Sequence, residues 1–207
     1  MGRKLPPVPM APIAELTRYA CDGIDGRDWY VNATAQIDFV ARAEGWSCDE
    51  FAGVLATTSP RCSVLRNIRI SLHFMKHRNL RVVPMRGVRT SVTRFLDGKG
   101  IAGQKTNAFY HNLTGRYDHV TLDVWMAYAL GIDQTDFNRK ATREEATRRV
   151  VRVARRLRIS PAAAQACIWT GYRRNVGRSN SPFSVVSEYL TACDNKWEVE
   201  GCSIHAE

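Results

Sequence analysis

Lys105 and Asp123, 18 residues apart, are the two residues of this chain best suited by type and setting to do chemistry. They lie in the stretch Gly98–Met126, GKGIAGQKTNAFYHNLTGRYDHVTLDVWM. A neutral primary amine attacks an electron-poor carbon and forms a Schiff base with it. A fixed carboxylate nearby stabilises the positive charge that develops as a bond to that carbon breaks. An ordinary lysine, with a pKa of about 10.4, is protonated at neutral pH, so a nucleophilic one must be tuned by burial or by neighbouring cations. Lys105 stands near a predicted helix start and close to Lys99, and both settings favour loss of its proton. Asp123 is framed by Val120, Leu122, Val124 and Trp125, which suits a positioned carboxylate better than a solvated one. Plainer roles fit the same residues: a first-turn helix lysine, and an N-cap for the helix that follows Asp123.

Two elements must carry the pair. Gly98, Gly100 and Gly103 mark a tight turn between a predicted helix over Thr90–Leu96 and a second over Lys105–Leu113, which stops at Gly115. A further helix runs from beyond Asp123 through Leu130 to Gly131. The rest of the chain also reads as helix, which makes the fold class all-α. Pro12–Cys21 is amphipathic, and Trp29–Glu44 carries Val31, Ala35, Phe39 and Val40 at helical period. Ser47 with Glu50, and Thr142 with Glu145, have capping-box spacing, the latter opening a helix to Leu157. Pro60 suits the first turn of a helix whose apolar face bears Val64, Leu65, Ile68, Leu72 and Phe74. Ser160-Pro161 opens a helix to Tyr172, and a last one spans Ser184–Thr191. Leu80–Val83, bounded by Pro84 and Gly87, reads as loop.

The 207 residues include 30 Lys and Arg against 20 Asp and Glu, a formal charge of +10. Such a balance points to a polyanionic partner, nucleic acid foremost. Arg61 stands in a polar turn, and Arg148, Arg152 and Arg155 share one face of a helix dense in arginine, a stripe suited to phosphates or to plain solvation. No window approaches the ~18 consecutive apolar residues of a membrane span. Residues 1–12, with four prolines, read as an extended arm and not as a signal peptide. Six scattered cysteines without a C-x-x-C pair favour reduced thiols and a cytoplasmic setting. His73 and His77, spaced i, i+4, lack further ligands, so no metal is expected.

Gly103, Lys105, Thr106, Asp123 and Val124 match the signature of the helix-hairpin-helix DNA glycosylases (the HhH-GPD superfamily), which the chain resembles in its endonuclease III branch. Two departures stand out. Gly100 and Ile101 occupy the places of the usual hairpin proline and first hairpin glycine, and no His or Asn follows Asp123. The resemblance spans about residues 50–175 and implies a two-lobed helical bundle. One lobe would cover about 50–115, with the hairpin at 90–113; the other would combine about 13–45 with 116–192, all in a single domain over 13–207. It also implies a monomer that binds double-stranded DNA, extrudes a damaged or modified base and cleaves its N-glycosidic bond. Lys105 would be the nucleophile, with AP-lyase activity through its Schiff base, and Asp123 the stabilising carboxylate. Gly98, Lys99, Gly100, Gly103, Gln104 and Thr106 would grip a DNA phosphate, a monovalent cation assisting at the hairpin. The iron–sulfur cluster of that branch is not expected, because only Cys193 and Cys202 lie near the C-terminus. Two alternatives stay open: a glycosylase-derived enzyme acting on hypermodified bases of phage type, and a non-catalytic helix-hairpin-helix DNA-binding protein.

Overall fold

Serine and aspartate oxygens open several of the helices on which this fold is built. Ser47, Ser63, Asp123 and Ser160 each accept a hydrogen bond from the backbone N–H three residues on, satisfying a donor that the helix itself leaves unpaired. In the computed structural model, which describes residues 6–179 and 182–194, ten α-helices form and no strand. They are α1 (Ile13–Asp22), α2 (Trp29–Glu44), α3 (Cys48–Thr58), α4 (Val64–His77), α5 (Arg86–Leu96), α6 (Gln104–Leu113), α7 (Val124–Ala129), α8 (Lys140–Leu157), α9 (Pro161–Asn175) and α10 (Val185–Asp194). The fold is all-α.

Several local expectations are corrected. Ser63, not Pro60, precedes α4, and Leu65 stays 37% exposed. α5 starts at Arg86, so Gly87 lies in its first turn, where backbone N–H groups need no partner inside the helix. Leu80–Val82 is a short 3-10 turn within the expected loop. Thr142 caps nothing: it is fully buried inside α8, where its hydroxyl accepts from the Val8 N–H. The reciprocal capping box belongs instead to Asp133 and Asp136, in the turn before α8. At Ser47 only half of the box forms, since the Glu50 carboxylate is turned to Arg78.

Two cores organise the packing. In the first, α2, α3, α4 and α6 meet through Ile37, Phe51, Leu55, Ile68, Phe74 and Leu113. In the second, α1, α7, α8 and α9 meet through Leu16, Met126, Leu130, Val150, Val153 and Ile168. Each such fully buried side chain contributes about 1.5–3 kcal/mol of transfer free energy. α9 serves both, giving Ala162 and Ala166 to the first and Ala164, Cys167 and Ile168 to the second. The sequence reading groups residues 13–45 with the C-terminal helices: α1 packs on α8 and α9, and α2 packs on α9 and α10 as well as on α3 and α6, its core face entering the first core. That face is Tyr30, Ala33, Ile37, Val40 and Ala41, while Val31, Ala35 and Phe39 turn outward.

Glycines set how closely two pairs of helices approach. A Cβ on Gly171 of α9 would lie 1.9 Å from the Tyr19 carbonyl oxygen of α1, so the two backbones touch there. A Cβ on Gly53 of α3 would lie 1.9 Å from the Phe95 ring of α5. Phe95 in turn meets Tyr110 of α6, with ring centroids 6.0 Å apart, so α3 seats the turn between α5 and α6.

Candidate active site

Residues 116–122 are held from both sides before they reach Asp123. Val120 and Thr121 are buried, and the Thr121 hydroxyl accepts from Tyr30 Oη of α2 (3.1 Å) and from Asn112 Nδ2 of α6 (3.3 Å). Asp123 then caps α7, with Oδ1 accepting from the Met126 N–H at 2.9 Å. Its Oδ2 accepts from the Trp169 indole N–H of α9 at 3.2 Å. Burial pushes this carboxyl above the ordinary carboxylate range, against the opposing pull of the Met126 N–H, the Lys105 charge and the indole.

Lys105 occupies the second position of α6. Gly103, with φ +89°, turns the chain into the helix, and the Thr106 hydroxyl ties the turn down by donating to Ala102 O (2.7 Å) and Gly103 O (3.0 Å). The lysine amine donates to Ser59 Oγ at 3.4 Å. Neither Lys105 nor Asp123 is the other's hydrogen-bond partner. Burial holds the amine below the ordinary lysine value, while the charge on Asp123 and the Cys62 thiol act in the other direction.

Both side chains open onto one cavity of about 470 Å³ between the two cores. Trp29, Phe109, Trp125, Trp169 and Phe183 give it aromatic walls, and Asn67, Thr121 and Gln165 add polar edges. Its charged lining residues are Arg61, Lys105 and Arg173 against Asp123 alone. Arg61 sits in the turn between α3 and α4 at φ +55°, a conformation that costs a non-glycine residue about 1 kcal/mol or more. Gln165, Trp169 and Arg173 recur every four residues along α9, and all three face the cavity. The Arg173 guanidinium lies over the rings of both Trp125 and Trp169, 4.6 and 4.5 Å from their centroids. A cavity with an amine of lowered basicity, a half-buried carboxylate and aromatic faces can stack a planar ring and attack a carbon attached to it.

The other candidate residues divide. Gly98, Lys99, Gly100 and Gln104 are exposed on the turn ahead of Lys105, but none of them lines the cavity. Gly98, Gly100 and Gly103 all take positive φ, and no side chain caps α6. Thr106 is buried, its hydroxyl given to the turn itself. Arg148, Arg152 and Arg155 share the exposed face of α8, and no residue of α8 reaches the cavity. Arg148 is paired with Glu145 at 3.0 Å. Thr57 and Thr58, just ahead of Arg61, are interior, and Thr58 bonds to Asn67 and Ser71.

A family model matches residues 18–176, described as "Family of unknown function (DUF7178)". The chain belongs to DUF7178. No curated protein and no solved structure matches it. The span shared with DUF7178 holds Lys105, Asp123 and the whole α9 stripe. Gln165, Trp169 and Arg173 are not among the site residues expected from the sequence. Their spacing of four along one helix was the available signal. Nothing in the spacing of Phe109 and Phe183 sets them apart from ordinary core aromatics. Among the described residues no three His, Cys, Asp or Glu side chains group as a metal site requires. The His73 and His77 rings lie against each other at a tilt of 47°, centroids 4.6 Å apart. Cys193 is a free thiol, whereas Cys202 lies outside the described residues. No described helix is long and apolar enough to cross a membrane.

Proposed function

We propose that this DUF7178 protein is a DNA N-glycosylase-like enzyme of helix-hairpin-helix type that takes an extruded base into the cavity and cleaves its glycosidic bond. One observation carries the reading: Lys105 and Asp123, on different elements, share the wall of a base-sized aromatic cavity, the amine shifted toward its neutral form. In the step this supports, the Lys105 lone pair forms a bond to C1′ while the C1′–N bond breaks and its electron pair leaves with the base. The base takes up a proton. Loss of the amine's proton and opening of the C1′–O4′ bond then leave an imine to the lysine. Asp123 faces the cationic sugar in the transition state.

DNA would meet the protein at two further places. The amides of the glycine turn and the uncapped start of α6 offer donors to a phosphate, the hairpin's role in this reading. Arg61 stands at the cavity and Arg152 and Arg155 on α8, where they add salt-dependent affinity without reading sequence. The protein would act as a monomer. The test is borohydride trapping on duplexes with an abasic site or a panel of altered bases, beside Lys105→Gln. A covalent adduct that the variant loses supports the reading. Absence of both an adduct and free-base release across the panel overturns it.

A further inference from the structure

If Lys105 attacks as a free amine, it cannot at the same moment be the cation that keeps Asp123 ionised. A carboxylate in an apolar wall needs a charge that does not titrate away. The titratable and charged groups around it are few. Tyr30 comes from α2, Lys105 from α6, Arg61 and Cys62 from the α3–α4 turn, and Arg173 from α9. Tyr30 is driven strongly toward its neutral form by burial and already bonds to Thr121 and Gln165. Cys62 is half-buried, and burial favours its neutral thiol. Arg61 lies on a turn at the cavity mouth, exposed to water.

Arg173 differs in being built in. Its guanidinium is clasped by Trp125, two residues after the carboxylate, and by Trp169, the indole that donates to Asp123 Oδ2. Its Nη2 donates to the Ser179 carbonyl, and its Nε is buried without a partner. Two indole faces retain a planar cation with little need of a counter-ion in contact. Guanidinium stays protonated at any pH at which lysine can act.

We propose that Arg173 is a positioning residue that keeps Asp123 ionised and fixes its Trp169 partner when Lys105 is neutral. This rests on the glycosylase reading for its purpose, but not for its test. The experiment is an NMR pH titration of the aspartate side-chain carboxyl carbons in the DNA-free protein, with the Asp123 signal assigned through Asp123→Asn. In Arg173→Gln the Asp123 midpoint is expected to rise, because the attraction between the guanidinium and the carboxylate is lost. Arg173→Lys keeps the charge but not the planar clasp, so its midpoint should fall between the other two. An unchanged midpoint in Arg173→Gln, with the amide spectrum otherwise preserved, overturns the proposal. So does Arg173→Lys with a midpoint as high as Arg173→Gln. If base release is measurable, its acid limb should move to higher pH by the same amount in Arg173→Gln. If no duplex yields base release, the carboxyl titration still decides the role of Arg173 while the glycosylase reading falls.

Discussion

The chain places a lysine beside an aspartate twice, a few residues apart, and does opposite things with them. On the surface of the glycine turn, Lys99 and Asp97 form an ion pair at 3.0 Å, both largely in water. One residue beyond the turn, Lys105 is drawn inward, and its amine meets a serine hydroxyl, while Asp123 accepts from a backbone N–H and an indole. The first pair neutralises itself in solvent, where such contacts contribute little. In the second the groups are half-buried and make no direct ion pair, so desolvation moves each toward its neutral form. Chemistry is available only where the pairing is incomplete.

The sharpest way to test the contrast is to remove each amine in turn. Lys105→Gln is expected to abolish the borohydride adduct entirely, whereas Lys99→Gln should lower its yield only through DNA affinity, an effect that higher DNA concentration restores. Lys105→Gln should also melt no lower than the parent at neutral pH. A lysine whose folded pKa is lowered binds its proton more weakly in the folded state, so the charged side chain costs stability below its ordinary pKa. A residual adduct of parental yield in Lys105→Gln would move the nucleophile elsewhere.

Removing the carboxylates comes next in size. Asp123→Asn should lower base release by about 10²–10³-fold, the usual cost of losing one preorganised electrostatic group. Asparagine caps a helix about as well as aspartate, so α7 should keep its start and DNA affinity should stay near parental. Asp97→Asn should change neither quantity. Equal loss of binding and release in Asp123→Asn, with circular dichroism unchanged, would make the aspartate structural only.

Gly53→Ala breaks the comparison from a distance. The added Cβ would overlap the Phe95 ring, which cannot stay in place, and α5 must shift from α3. Overpacking of this kind costs about 1–3 kcal/mol, readable as a lowered denaturant midpoint with unchanged slope. The same shift moves the turn that aims Lys105, so adduct formation should slow while Asp123 is undisturbed. Unchanged stability would mean that Phe95 has another place to go.

What the sequence disclosed and what it hid follow from the range of the forces involved. The bounds of α2, the caps at Ser47 and Ser160, and the cap at Asp123 are local events, legible from neighbours within four residues. The two N-cap aspartates show where that legibility ends. Asp133 and Asp123 both bond backbone N–H groups at a helix start, yet the Thr135 hydroxyl and amide hold the first below the ordinary carboxylate range, while burial raises the second. Their local roles are alike, and only tertiary packing separates them. The placement of α2 in the first core, and the distance of the α8 arginines from the cavity, depend on which face of a helix wins the interior. The outward stripe Val31, Ala35, Phe39 competes with Tyr30, Ala33, Ile37 in the pattern and loses in the packing.

The smallest expected effect discriminates most finely, because it follows the amine itself. Labelling with an amine-selective reagent across pH should show Lys105 becoming reactive at lower pH than the other lysines, since burial holds its pKa below the ordinary value. The Asp123 charge works against that shift by favouring the ammonium. In Asp123→Asn this opposing attraction is gone, so the onset should move lower still, even as base release is lost. Reactivity and catalysis would then part company: the variant would hold a more available nucleophile and a slower reaction. Should the onset instead move upward in Asp123→Asn, the carboxylate would not be stabilising the ammonium, and the cavity could not be read as a site whose two groups set each other's charge.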